Sequence, residues 1–280
     1  MSAFILVSAL LLSIGTYIDK MIIDEGISKK NYFYYMCLTM VPFSLALLYV
    51  EIVNGTFHFR LNTSLILLIV IAAVLRYYRQ KSFVNCYREL QPYEFESYMT
   101  VSLMFSFIID LFLGVQKFHP MKILSIVLIL VGIFLINSLK IQMKVLLKNL
   151  FIRIFCELMM GYVIFAAMKQ CSNSMFILIL NLSLVIVFTP VYQPWKKQDR
   201  ITGKLFWLIM LQQTFGFTVT YLNNILSSVS VTLYQFVSPV SLVLIAMISL
   251  MMKNRKKPSL LNGLGVICSI AGVLIMNVMF

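Results

Sequence analysis

The sequence predicts an all-α polytopic membrane protein: ten transmembrane helices, arranged as two inverted five-helix repeats. Three observations predict it. The 280 residues are 61% hydrophobic with mean hydropathy +0.93, against an apolar share of roughly 45–50% in soluble domains. The chain has long uncharged runs, at residues 2–18, 31–50, 123–139, 170–195, 205–252 and 258–280. Its two halves also share a pattern.

A water-soluble fold cannot bury this much apolar surface, so the solvent is lipid. In hydrocarbon only helices and closed barrels satisfy their backbone groups. Barrel strands alternate apolar and polar residues. These runs are continuously apolar, so they are helices, and residues 205–252 suffice for two spans of ~20 residues each. The expected helices are 3–22, 32–53, 63–88, 93–115, 121–138, 149–169, 173–194, 203–224, 229–252 and 258–279. The polar run N-N-I-L-S-S-V-S (residues 223–230) reads as the break between helices 8 and 9. Connections are short, with no room for a soluble domain. Residues 2–18 lack a basic start and an A-x-A-like site, so a cleaved signal peptide is not expected.

Charge and cysteine usage exclude several classes. A net charge of +13 would suggest nucleic acid in a soluble protein. Here it fits basic loops beside an anionic bilayer, so lipid is the expected partner and nucleic acid is not. Five scattered cysteines form no C-x-x-C pair, which predicts neither a disulfide frame nor a metal site. His58 and His119 lie in different connections without a partner at ligand spacing. No nucleophile elbow, phosphate loop or dinucleotide fingerprint stands out. The expectation is a protein without cofactor or metal that is not an enzyme.

The repeat is read from three matches. V-G-I-F-L-I-N (residues 131–137) matches A-G-V-L-I-M-N (residues 271–277), F-H-P-M-K (118–122) faces K-K-P-S-L (256–260), and Y-M-T-V-S-L-M (98–104) lies against Y-Q-F-V-S-P-V (234–240). The units are residues 1–140 and 149–280. Five spans per unit, an odd number, turn the second copy upside down, and inverted repeats are a transporter construction with the site near the midplane. A helix, a Pro, then an apolar helix ending in G-[IV]-[FL]-[LI] closes both halves. In this the chain resembles the drug/metabolite transporter superfamily, EamA-like branch. An acid common after helices 4 and 9 in that family is absent from residues 113–120 and 251–258. The resemblance implies a ten-helix carrier with helices 1–4 and 6–9 around a central cavity and helices 5 and 10 behind. It also implies metabolite export.

Ionisable groups inside spans are the leading site candidates, because burying them in lipid is costly. V-L-R-Y-Y-R-Q-K (residues 74–81) is the central case. If helix 3 spans 57–75, Arg76 and Arg79 snorkel at an interface. If it spans 63–88, they lie past its middle on one face, fit to bind a carboxylate or phosphate. The run 64–75 is only 12 residues, ~18 Å as helix, too short to cross alone, which favours the longer register. Its rough counterpart in the second half is Gln212. Glu157 and Asp110 are the proton-coupling candidates. Glu157, with Gly161 and Met168-Lys169, looks similar in order to the first-helix glutamate pattern of the related small multidrug resistance transporters, with longer spacings. It also has Arg153 one turn away, a pairing that suits an interface. Asp110 near the end of helix 4, and Glu94 and Glu96 after Pro92, also suit wet helix ends. Tyr98, Asn181, Gln212, Gln213 and Tyr234 fit either cargo binding or helix packing.

The resulting expectation is a secondary transporter of a small polar, anionic or zwitterionic metabolite, driven by protons or exchange, in the plasma (inner) membrane of a bacterium. Two alternatives stand beside it. One is an exchanger or flippase for a phosphorylated, nucleotide-linked or lipid-linked sugar; the other is a non-transporting membrane assembly partner. Of 23 Lys and Arg, 19 fall on connections 1–2, 3–4, 5–6, 7–8 and 9–10, which by charge puts both termini outside. The family resemblance implies both inside.

Overall fold

The computed structural model describes residues 2–114, 119–137, 144–193, 201–251 and 259–278. The expected ends of helices 4, 5, 7, 9 and 10 near 115, 138, 194, 252 and 279, and Pro258, lie outside these residues. Among the described residues the protein is helical throughout, with one isolated bridge between Phe59 and Cys171. The helices are α1 (Ser2–Asp24), α2 (Lys29–Val53), α3 (Thr63–Glu89), α4 (Pro92–Met99), α5 (Val101–Phe112) and α6 (Pro120–Asn137). They continue with α7 (Lys144–Ala167), α8 (Asn173–Tyr192), α9 (Gly203–Val229), α10 (Val231–Gln235), α11 (Val237–Met251) and α12 (Leu260–Val278).

Eight segments are long and apolar enough to cross a bilayer: α1, α2, α3, α4 with α5, α7, α8, α9, and α10 with α11. In α6 and α12 the apolar stretches, Ile123–Ile136 and Leu260–Gly272, are shorter. Large apolar side chains such as Phe134, Ile186, Trp207 and Ile267 stay exposed, which suits lipid as the surrounding solvent.

Capping sets the starts of three long helices. The side chains of Ser28, Asn62 and Thr202 accept from the backbone N–H groups of Asn31, Leu65 and Leu205, which satisfies donors the first turn leaves open. Pro92 opens α4, where Gln91 donates its N–H to Glu94 Oε2 at 2.8 Å. Gly26, at φ 82°, supplies the left-handed turn after α1.

Two expected helices are broken mid-span. α10 stops at Gln235 and α11 restarts at Val237 because Pro239 has no N–H to give the carbonyl four residues back. Between α4 and α5 the hydroxyls of Ser97, Thr100 and Ser102 bond the carbonyls of Glu94, Glu96 and Met99, competing with the helix ladder. Conversely, the expected break over residues 223–230 is helix: α9 runs to Val229. Its polar side chains are satisfied across helices instead, Asn223 accepting from Ser8 at 2.6 Å and Asn224 donating to Asn173 Oδ1 at 2.7 Å.

Packing runs between the halves: α3 on α7, α1 on α9, α2 on α8, α4 on α11 and α6 on α12. The α6–α12 seam is the tightest. A Cβ on Gly132 would lie 2.6 Å from the Gly265 carbonyl, one on Gly265 2.7 Å from the Gly132 carbonyl, and one on Gly272 2.7 Å from the Ser125 carbonyl. Ser125 also donates to the Gly272 carbonyl at 2.5 Å. Small residues let these backbones touch, which is how helices associate without a hydrophobic drive.

Candidate functional site

A cavity of about 170 Å³ lies among α1–α4 and α7–α11. α3 places its key cation there by simple periodicity. Leu65, Ile69, Ala72 and Arg76 are all buried at spacings of three and four, one stripe of a helix. Arg76 therefore continues a core stripe rather than ending a span. It is 8% exposed, lines the cavity beside the Cys37 thiol, and makes no ion pair among the described residues.

One turn on, Arg79 Nη1 lies 3.3 and 3.4 Å from the two carboxylate oxygens of Glu157. Arg153 Nη2 reaches Glu157 Oε2 at 2.9 Å from the preceding turn of α7. Tyr234 of α10 donates its hydroxyl to Glu157 Oε1. The Arg153 guanidinium packs over Phe83 and Phe95, 5.5 and 5.9 Å from the ring centroids, a cation–π arrangement. Glu157 is thus held by three donors. Yet the Nε atoms of Arg79 and Arg153 are buried without a hydrogen-bond partner, donors for which burial is costly until something accepts.

Two further carboxylates line the cavity. Asp19 of α1 accepts from the Tyr32 hydroxyl and faces the Gln212 amide. Glu96 of α4 accepts from Ser241 at 3.5 Å. Gln213 donates to Gln212 Oε1, and its own carbonyl oxygen is buried unpartnered. Gln235 accepts from Ser102 at 2.5 Å and leaves its amide nitrogen unpartnered. The remaining wall is apolar and soft, with Met36, Met40 and Met160 beside Phe33 and Phe83.

Of the candidates named from sequence, the cavity gathers Arg76, Arg79, Glu96, Gln212, Gln213, Tyr234 and Glu157. Tyr98, Asn181 and Asp110 are not among its lining residues. Tyr98 packs between two apolar clusters. Asn181 donates to the Ile177 carbonyl at 2.6 Å within α8. Asp110 accepts from Tyr162 at 2.9 Å and from Thr232, tying α5 to α7 and α10. Glu157 does pair with Arg153, and both residues line the cavity. α7 starts at Lys144, so Glu157 lies more than three turns in. Gln212 and Arg76 both line the cavity, on α9 and α3. Sequence reasoning missed Asp19 and the cavity role of Arg153 and Glu96. The one available signal for Asp19 was an acid placed before the end of a long apolar helix, five residues short of Asp24.

No group of three or more His, Cys, Asp or Glu able to hold a metal occurs among the described residues. No protein-family model matches the chain, and no curated protein matches it in sequence. A solved structure, known only as the crystal structure of a protein, is similar in fold. It superposes with a TM-score of 0.65 over 100% of this chain and 98% of its own, at 9% identity. The likeness concerns fold alone.

Proposed function

We propose that the protein is a secondary transporter that carries a small anionic or zwitterionic metabolite through this cavity by alternating access. The observation that carries the reading is Arg76: a guanidinium buried in a cavity with no carboxylate of its own. A buried cation without a counter-charge is costly, and an anionic cargo that supplies one gains that energy on binding. Arg79, which also lines the cavity, adds a second guanidinium on the same helix.

The inverted ten-helix repeat belongs to this reading. Counting α4–α5 and α10–α11 as one rod each, exchanging rods 1–5 with 6–10 turns the α3–α7 pairing into α1–α9 and leaves α2–α8 and α6–α12 paired with themselves. At an offset of 140 residues, Gly132 against Gly265 becomes Gly272 against Ser125, and both are close contacts. The α4–α5 and α10–α11 breaks, at Thr100 and Phe236, fall at the same position of the matched tyrosine motifs. Such repeats support rocking around a midplane site.

The cavity, about 170 Å³ and lined by guanidinium and carboxylate groups, supports a small polar cargo. The exchanger or flippase for a phosphorylated, nucleotide-linked or lipid-linked sugar keeps the same fold and differs in cargo. The test is uptake and exchange in proteoliposomes with a panel of small anions and zwitterions. Flux that Arg76→Ala abolishes, with folded protein retained, is the expected result. No flux for any compound under any pH gradient would leave the non-transporting assembly partner as the better reading.

A further inference from the structure

Three carboxylates line the cavity wall, Asp19, Glu96 and Glu157, and the guanidinium of Arg153 faces all three. Glu157 takes it, at 2.9 Å, together with Arg79 and the Tyr234 hydroxyl. Asp19 and Glu96 are left with neutral partners: Tyr32 and Gln212 for the first, Ser241 for the second. Neither makes an ion pair among the described residues. Both are nine-tenths buried or more.

The other charged and titratable groups nearby do not change this. On α1, Lys20 turns to the Tyr87 carbonyl and Asp24. α2 offers Tyr32, α3 offers Tyr87 and Arg79, α4 offers Glu94, whose carboxylate accepts from the Gln91 N–H, and α7 offers Arg153 and Glu157. α9 presents Gln212, and α11 presents Ser241. A carboxylate in such a place is costly as an anion and inexpensive as an acid.

We propose that Asp19 and Glu96 are the cavity's proton sites, and that Glu157 is a fixed counter-anion. This rests on the transport reading and names its coupling groups. Proton loss from Glu96 or Asp19 gives Arg153 a second carboxylate to choose. Arg153 then loosens from Glu157, and the wall that meets the cargo anion rearranges. The proton leaves to water or arrives from it, and no other bond changes.

Infrared difference spectroscopy of the purified protein in lipid nanodiscs tests this without any cargo. At neutral pH the wild type is expected to show the carbonyl stretch of protonated carboxylic acid. Asp19→Asn and Glu96→Gln should each remove part of it, and Glu157→Gln should remove none. Asp110 and Glu51, buried outside the cavity with hydroxyl partners, are unchanged in all three variants, so the differences between variants carry the assignment. Absence of the band in wild-type protein overturns the proposal, even if a variant fails to fold. So does a band unchanged in both Asp19→Asn and Glu96→Gln, or lost in Glu157→Gln. Because no flux is measured, failure here leaves the transport reading standing, and failure to transport leaves the band assignment standing.

Discussion

Arg79 and Glu157 lie 78 positions apart in the chain and meet across the cavity wall at 3.3 Å. The contact joins α3 of one half to α7 of the other. It is shared with Arg153, so one carboxylate neutralises two guanidinium groups. The consequences for stability and for transport can be separated by mutation.

Glu157→Gln removes the only anion paired to Arg79 and Arg153 among the described residues. Breaking a buried pair from one side costs about 3–5 kcal/mol. A clear fall in the melting temperature of detergent-purified protein is expected. Adding Arg153→Met should recover part of it, since one stranded charge then goes. An unchanged melting temperature for the single variant would mean that the pair contributes nothing to the fold.

Arg76→Met should behave in the opposite way. The side chain has no ion pair to lose, and an apolar replacement removes a desolvation cost. The melting temperature is expected to match or exceed wild type while flux in proteoliposomes disappears. Retained flux would exclude Arg76 as the cargo's partner.

The α6–α12 seam gives a packing prediction. A side chain at Gly132 meets backbone atoms of α12, which cannot rotate away. Gly132→Val is expected to cost at least ~1–3 kcal/mol and to lower the yield of monodisperse protein on size-exclusion chromatography. Gly263→Ala, on α12 with nothing within 4 Å of its added Cβ, is the control. It should be neutral or stabilising by up to ~1 kcal/mol.

Two hydrogen bonds join the ends of helices that line the cavity. Ser8 donates to Asn223 at 2.6 Å between α1 and α9, and Asn85 to Asn149 at 3.0 Å between α3 and α7. Cysteine pairs at 8/223 or 85/149, introduced after removing the native cysteines, should each abolish flux when oxidised and restore it when reduced. Full flux with either pair cross-linked would show that its end need not part.

Much of this was legible in the sequence, for identifiable reasons. Apolar runs without charge announced the spans. The expected helix over 63–88 differs from α3 by one residue at its end, because the run before Arg76 was too short to cross. That length argument put Arg76 inside. The stripe of Leu65, Ile69 and Ala72 carried the same information. What stayed hidden depends on distant partners. Nothing local says that Asn223 and Asn224 continue a helix, since their amides are satisfied by α1 and α8. Nothing local says that Asp110 bonds Tyr162 and Thr232 rather than water. Glu96 was read as a wet helix end because the Arg153 that faces it is 57 positions away. Pro239, by contrast, was a visible reason for the α10–α11 break.

The glycine seam between α6 and α12 bears on leakage. If backbones there are in contact, the two halves share a pivot that neither can slide along. A rocking motion about such a pivot opens one mouth by closing the other. On the transport reading proposed above, a cavity that opens to one side only as it closes to the other offers no continuous aqueous path, and turnover then leaves the ion gradients of the surrounding membrane intact.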